Sequence, residues 1–279
     1  MKLAYLGPVG SFSHNVALKS LPSADHLAFA NITEVIKAYE QGQVDAAIVP
    51  VENAIEGSVH ETLDYLFHQA SLHAVAEFIQ PIKQQLLVTD VSKPIERIFS
   101  HPQAIAQGKA YITKHYPQAE IELTASTAYA ARYVSEHPDK PYAAIAPDSA
   151  AKAYGLVTAA RDIQEMQENF TRFWLLGHQT PSISAHSLGH KISLALTLPD
   201  NLPGALYKAM ATFAWRGIDL TKIESRPLKT VLGEYFFILD ARYDHPELVH
   251  FALDELTSMG IRYKILGKYE VFQMENLEL

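Results

Sequence analysis

Four short segments hold the side chains best suited to chemistry. The first is Gly7-Pro8-Val9-Gly10-Ser11-Phe12-Ser13-His14, a glycine-rich turn leading toward a helix. Backbone N–H groups there, with the Ser11 and Ser13 hydroxyls, could receive an anion. The same residues read equally as a tight turn with a capping serine. They fit neither the P-loop nor the dinucleotide-binding glycine spacing, so nucleotide binding is not supported. In the second segment, Glu52 and Asn53 follow an apolar run. Asn53 is both donor and acceptor and could orient a carboxylate or a hydroxyl without adding charge. The third places Ser100, His101 and Gln107 around one predicted strand end. Adjacent Ser and His point differently, which makes a nucleophilic triad geometrically poor, and no second histidine stands at metal-ligand spacing. In the fourth, Thr171 and Arg172 lie between Phe170 and Phe173. A hydroxyl in an apolar setting could protonate a leaving group, and an arginine could clamp a carboxylate. An inward aromatic face with an outward arginine would explain the same residues.

Alternating strands and helices must position these groups, which predicts an α/β architecture. Apolar runs mark strands at Lys2–Leu6, Asp45–Pro50, Arg97–Ser100, Ile121–Leu123 and Tyr142–Pro147, with strand-like segments over His73–Leu87. Helical spacing marks Val16–Leu21, Ile32–Gln41, Val59–Gln69, Gln103–His115 and Ala128–Glu136. AAIVP at Ala46–Pro50 is echoed by AAIAP at Ala143–Pro147, each a strand, then a proline, then polar residues and a helix, which fits two lobes facing one cleft. Ligands in such sheets sit beyond the carboxyl ends of strands. Residues 179–188 are Ser-rich and aperiodic, as a linker would be. Beyond them the pattern runs strand (His190–Leu198), helix (Pro203–Trp215), two strands (Ile218–Arg226, Tyr235–Arg242), helix (Pro246–Met259) and strand (Ile261–Val271). That order is ferredoxin-like βαββαβ.

The 279 residues suggest two domains, and 48% hydrophobic against 19% charged residues supplies ample core. Zero cysteines exclude disulfides, thiolate nucleophiles and Cys-ligated metal or iron–sulfur centres. A net charge of −8 is a poor basis for wrapping nucleic acid. No run reaches the roughly 18–20 apolar residues of a membrane span, and no export signal is evident, so a soluble cytoplasmic protein is expected.

Read together, GPVGSFSH, VPVENAIEGSV, SHPQAIAQ, AST, NFTRFWLLG, PGALY and ESRP occur in the order and spacing of prephenate dehydratases that carry an ACT domain. The resemblance spans Gly7 to about Val271, and NFTRFWLLG with the GAL and ESRP pair is its most specific part. It implies a monofunctional hydro-lyase with no cofactor and no metal. Prephenate would lose water and CO2 to give phenylpyruvate, with arogenate dehydratase as the alternative on one scaffold. A solute-binding protein and a non-catalytic amino-acid sensor are the competing classes.

The implied architecture is a two-lobed, periplasmic-binding-protein-like catalytic domain over residues 1–180. Its lobes would be residues 1–76 plus 160–180, and residues 77–159. A C-terminal ferredoxin-like ACT domain would cover 189–272. Carried over by motif position, Thr171 is the essential threonine, with Asn53, Ser100 and Gln107 as its catalytic companions. Gly10, Ser11, Ser13, Glu52, Ser126, Thr127, Arg172 and Phe173 would contact substrate. Ala125 stands where some relatives have an acidic residue, which leaves a carboxylate acid there unsupported. Gly204, Ala205, Leu206, Glu224, Ser225, Arg226 and Pro227 would bind L-phenylalanine as feedback inhibitor, usually at subunit interfaces. A homodimer or homotetramer is therefore expected, with no nucleic-acid or membrane partner.

Overall fold

The computed structural model describes residues 1–198, 203–228 and 235–274. In chain order the elements begin β1 (Lys2–Leu6), α1 (Phe12–Ser20), β2 (Asp25–Phe29), α2 (Ile32–Glu40), β3 (Ala46–Asn53), β4 (Gly57–Ser58), α3 (His60–His68) and β5 (His73–Pro81). They continue with β6 (Gln85–Val88), β7 (Arg97–Ser100), α4 (Pro102–Gln107), α5 (Lys109–His115), β8 (Glu120–Leu123), α6 (Thr127–Ser135), β9 (Tyr142–Ala146), α7 (Asp148–Tyr154) and β10 (Val157–Ala160). The last are β11 (Phe170–Gly177), β12 (His186–Thr197), α8 (Ala205–Ala214), β13 (Leu220–Pro227), β14 (Tyr235–Arg242), α9 (Pro246–Ser258) and β15 (Arg262–Gln273). The chain forms two compact units, and the boundary between them falls inside β5 and inside β11.

The first unit comprises residues 1–59 and 79–173 with Met274, and it holds two sheets. One runs β11-β3-β1-β2, with β1 parallel to both β2 and β3. The other runs β10-β6-β9-β7-β8. Its central strand β9 shows why a continuous apolar run was needed. Ala143 and Ile145 face a core that includes Ala104 and Ile112 from α4 and α5. Ala144 and Ala146 face the opposite core, with Ala130 and Val134 of α6 and Ala150 of α7. The helix expected over 103–115 is broken at Gly108, where an added Cβ would lie 3.3 Å from Ile163 Cδ1. β2 and β10 had no counterpart among the sequence-based expectations, being short and only weakly periodic, whereas α7 is the helix expected after Pro147.

Helix starts are fixed by side chains that accept backbone N–H groups. Asn31 caps α2 by accepting from Glu34 N at 2.8 Å. Ser11 caps α1 by accepting from His14 N, so that helix begins at Phe12, four residues before the expected Val16. Within the same turn, His14 Nδ1 accepts the Gly10 N–H at 3.0 Å. Gly10 has φ +82°, and an added Cβ would lie 2.9 Å from Ala150 Cα, so the position demands glycine on both counts. Ser149 Oγ donates to Gly10 O, and the Tyr154 hydroxyl donates to Val9 O.

The second unit comprises residues 60–78 and 174–273. Its strands run β13-β14-β12-β15-β5-β11, and the first three pairings are antiparallel. Helices α8 and α9 bury Ala209, Phe213, Val249, Leu253 and Leu256 in one core with Ile192, Leu194 and Leu239 of the sheet. The linker expected over 179–188 is shorter, because β12 starts at His186. The unit also buries charge. Glu77 is 0% exposed; it accepts from Trp174 Nε1 at 2.9 Å and pairs with Lys191 Nζ at 3.3 Å. Beside it, the Ser193 hydroxyl joins Asp240 and Tyr269, and the Tyr269 and Trp174 rings lie 5.6 Å apart.

Two predictions follow from these packing arrangements. Removing one partner of a buried pair strands the other, so Glu77→Ala should destabilise the protein by about 3–5 kcal/mol in urea unfolding, and Glu77→Gln by less. A loss below about 1 kcal/mol in the alanine variant would refute the pairing with Lys191 and Trp174. The second concerns His14, whose pKa is held below its ordinary value by burial and, secondarily, by His26. Its neutral form is also the one that accepts from Gly10. The stability it contributes is therefore complete above the unfolded-state pKa of 6.5 and is lost as pH falls through the lower folded-state value. Tm should fall as pH drops below about 6.5, and His14→Asn, which keeps an acceptor but cannot titrate, should flatten that fall. An unchanged pH profile in the variant would exclude His14 as the source.

Candidate active site

A cavity of about 250 Å³ opens within the first unit, where the ends of several strands meet. From one sheet come Asn53 at the end of β3, Thr171 on β11, Phe12 at the start of α1, and Ile82 and Gln84 beyond β5. From the other come His101, Gln103 and Gln107 around α4, and Ala125, Ser126 and Thr127 at the start of α6. These groups follow the carboxyl ends of β3, β7 and β8, the place that strand polarity assigns to ligands. Among the described residues, the lining contains no Lys, Arg, Asp or Glu, and it includes the imidazole of His101.

Asn53 organises one wall. Its Oδ1 accepts from Ile55 N at 3.0 Å and Glu56 N at 3.1 Å, within the β3–β4 hairpin. The amide orientation is thereby set, and Nδ2 donates to Thr171 Oγ1 at 2.9 Å, with Asn169 Oδ1 at 3.0 Å and Phe170 O at 3.3 Å. Thr171 Oγ1 is thus an acceptor toward Asn53, which leaves its own proton to be given toward the cavity. On the opposite wall, Ser126 caps α6 by accepting from Tyr129 N at 3.1 Å. The first turn of that nine-residue helix presents backbone donors together with the Ser126 and Thr127 side chains. Among the described residues, no group of three His, Asp or Glu side chains is placed to hold a metal.

Several expected site residues stand elsewhere. Ser100 is 0% exposed, and its hydroxyl donates to Ile145 O at 2.6 Å, so it fixes β7 against β9 rather than facing the cavity. Phe173 is a buried core residue. Arg172 and Glu52, both expected to touch a ligand, form an ion pair with each other and do not line the cavity. In the glycine-rich turn, Ser11 caps α1, Ser13 is buried and Gly10 packs on Ala150; Phe12 is the residue of that turn that reaches the cavity. Asn53, Gln107, Ser126, Thr127 and Thr171 are brought together as the motif positions implied.

Gln84 was missed. It is 3% exposed, and its backbone is pinned on both sides, with N donating to Gln164 Oε1 and O accepting from Ile163 N. Its Oε1 and that of Gln107 are buried and accept no hydrogen bond among the described residues. The adjacent Gln85 uses both ends of its carboxamide on Asp162. Gln84 lines the cavity, and the contrast with Gln85 is that its own Oε1 is unpaired although closed to solvent. Two consecutive glutamines before an apolar run were the available signal, but nothing in the sequence separates one from the other.

In the second unit, Gly204 has φ +76° at the N-terminus of α8, followed by nearly buried Ala205 and half-buried Leu206. Glu224, Ser225, Arg226 and Pro227 close β13. Arg226 is committed to the Asp64 carboxylate, with Nη2 3.0 Å from both oxygens. Glu224 pairs with Lys222 at 3.3 Å and with His60 at 3.7 Å.

The chain matches the family described as Prephenate dehydratase over residues 3–181. It is 49% identical to the prephenate dehydratase of Lactococcus lactis subsp. lactis, covering 98% of this chain and 99% of that one. A solved prephenate dehydratase from Streptococcus mutans is also 49% identical, with a TM-score of 0.65 over 98% of this chain and 100% of that one. A prephenate dehydratase from Arthrobacter aurescens, solved in complex with L-Phe, shares 32% identity at a TM-score of 0.83, covering 96% of this chain and 90% of that one. No helix among the described residues is long and apolar enough to cross a membrane.

Proposed function

The chain belongs to the prephenate dehydratase family and is a hydro-lyase acting on prephenate; we propose that Thr171 and Asn53 perform its central step in the cavity of the first unit. The arogenate reading is not favoured, since the relatives matched at high identity are named for prephenate. The observation that carries the proposal is the Asn53 Nδ2–Thr171 Oγ1 hydrogen bond on the wall of a cavity without charged lining.

The prephenate dianion loses its ring carboxylate and its ring hydroxyl. The C–C bond to the carboxylate breaks, and its electron pair enters the ring. The C–O bond breaks, and its pair leaves with oxygen, which takes up one proton from solvent overall. The products are the phenylpyruvate anion, CO2 and water. Aromatisation drives the reaction, so the protein must orient the carboxylates and steady the departing oxygen. Thr171 donates a hydrogen bond to that oxygen. Negative charge grows there as the bond breaks, so the hydrogen bond strengthens toward the transition state. Asn53 keeps the Thr171 oxygen occupied as an acceptor and so aims its proton. The Ser126 and Thr127 hydroxyls, with the N-terminal turn of α6, receive a carboxylate. The Gln84 and Gln107 carboxamides face the remaining polar surface. Ser100, Glu52 and Arg172 support the fold around this site.

We further propose that residues 189–272 form an ACT domain that binds L-phenylalanine near Gly204–Leu206 and Glu224–Pro227 in a cytoplasmic homo-oligomer, with residues 1–180 as the catalytic domain. The βαββαβ order from β12 to β15 supports this reading, as does L-Phe in the relative from Arthrobacter aurescens. Removing residues 186–279 would strip β15 from β5 and uncover Glu77, so point substitutions are the better test.

Thr171→Ala should lower kcat by about 10²-fold while KM for prephenate stays within a few-fold, because the lost contact acts mainly in the transition state. Near-normal turnover would remove Thr171 from the mechanism. L-Phenylalanine should inhibit the unaltered enzyme and raise its Tm. Gly204→Val, strained at positive φ, should weaken both effects without lowering kcat. Full inhibition in that variant would place the effector elsewhere.

A further inference from the structure

His101 lines the cavity beside the groups just described, yet the mechanism so far gives it no part. Its Nδ1 accepts the Gln103 N–H at 3.4 Å and so caps α4. An Nδ1 that accepts cannot carry a proton, so the neutral ring holds its hydrogen on Nε2. Nε2 makes no hydrogen bond and no ion pair among the described residues. The first turn of α4 thus fixes both the tautomer and the ring orientation, as the partner of one nitrogen decides the state of the other.

We propose that His101 is a further catalytic residue of this reaction, contacting the substrate as a neutral imidazole whose Nε2–H donates to a carboxylate of prephenate. This rests on the reading of the cavity as the prephenate site. The cavity must hold a dianion without a lysine or an arginine in its lining. Hydroxyls, carboxamides and helix N–H groups supply the remaining donors, and His101 Nε2–H is the one aromatic N–H among the lining side chains. Prephenate has a single O–H donor, its ring hydroxyl, so its two carboxylates must be met by donors such as His101. Protonation at Nδ1 would break the α4 cap, so the contact is a fixed hydrogen bond and not a proton transfer.

Two isosteres separate the nitrogens. Asparagine places an acceptor near Nδ1 and has nothing at Nε2, whereas glutamine places an N–H near Nε2 and loses the cap. His101→Asn should lower kcat/KM for prephenate by about 10-fold or more, while His101→Gln stays within about three-fold of the unaltered enzyme. Tm should rank the other way, with the Asn variant the more stable of the two. Full activity in the Asn variant, or equal loss in both, would overturn the proposal. A 15N-histidine NMR spectrum of the unaltered protein, assigned by difference against His101→Asn, gives a reading that does not depend on the variants' activity. It should show a neutral Nε2–H tautomer whose Nε2 resonance moves on adding phenylpyruvate, and an Nδ1–H tautomer or an unmoved resonance would also overturn it. Absence of prephenate turnover in the unaltered chain would sink the activity itself, and the tautomer measurement would remain separate from that failure.

Discussion

The candidate site depends on one carboxamide with no freedom to turn. Asn53 accepts two backbone N–H groups through Oδ1, and rotating the amide would set its NH2 against both. Nδ2 must then face Thr171, so the threonine oxygen is an acceptor on that side and a donor into the cavity. The hairpin pairing Glu52 with Ser58 and Asn53 with Gly57 holds the two donors in place. The neighbouring strand supplies the threonine, with Ala54 N donating to Phe170 O across the same junction. In the proposed step a weak acid becomes useful because its proton is aimed before the reaction begins, so little reorganisation is needed as charge develops.

The distribution of charge around this arrangement is consistent with it. Arg172 pairs with Glu52, Lys191 with Glu77 and Arg226 with Asp64. None of these six charged residues lines the cavity. A guanidinium in the cavity would stabilise the substrate dianion and the transition state almost equally, which lowers KM without raising kcat. It would also hold the carboxylate that has to leave as neutral CO2. Neutral donors bind more weakly and release that group more readily. The net charge of −8 says nothing about this, because it does not show which side chains line the cavity.

Legibility in the sequence followed the range of the interaction. The buried strand at Tyr142–Ala146 was readable because both its faces are covered, which forces an unbroken apolar run. The βαββαβ order was readable because its helices carry one apolar stripe each. β10 was not, since four residues are too few to show a period. Motif order brought Asn53, Gln107, Ser126, Thr127 and Thr171 together, but it could not say which neighbours face inward. Ser100 and Gln107 both belonged to SHPQAIAQ, and only the path of β7 against β9 turns the serine to Ile145 and leaves the glutamine in the cavity. Glu52 and Arg172 were misread for a similar reason. Each alone looks like a ligand group, and their mutual pairing is a contact across 120 residues. Gln84 lay beyond reach because its distinction from Gln85 is the presence or absence of an internal partner.

Strand β11 contributes residues to both compact units. Thr171 and Trp174 are three residues apart on β11, and the boundary between the two compact units falls between them. A strand is nearly inextensible at about 3.3 Å per residue. Trp174 is anchored by its N–H to Glu77 and packed near the Tyr269 ring, and Tyr269 in turn meets Ser193 and Asp240. The backbone that presents Thr171 to the cavity is thus continuous with a buried polar row built from β14, β12, β15 and β5. Alternation along the strand directs Thr171 and Trp174 to opposite faces, so each can be packed without displacing the other. A single strand therefore supplies a hydroxyl to the cavity wall of one unit and an indole to the core of the other.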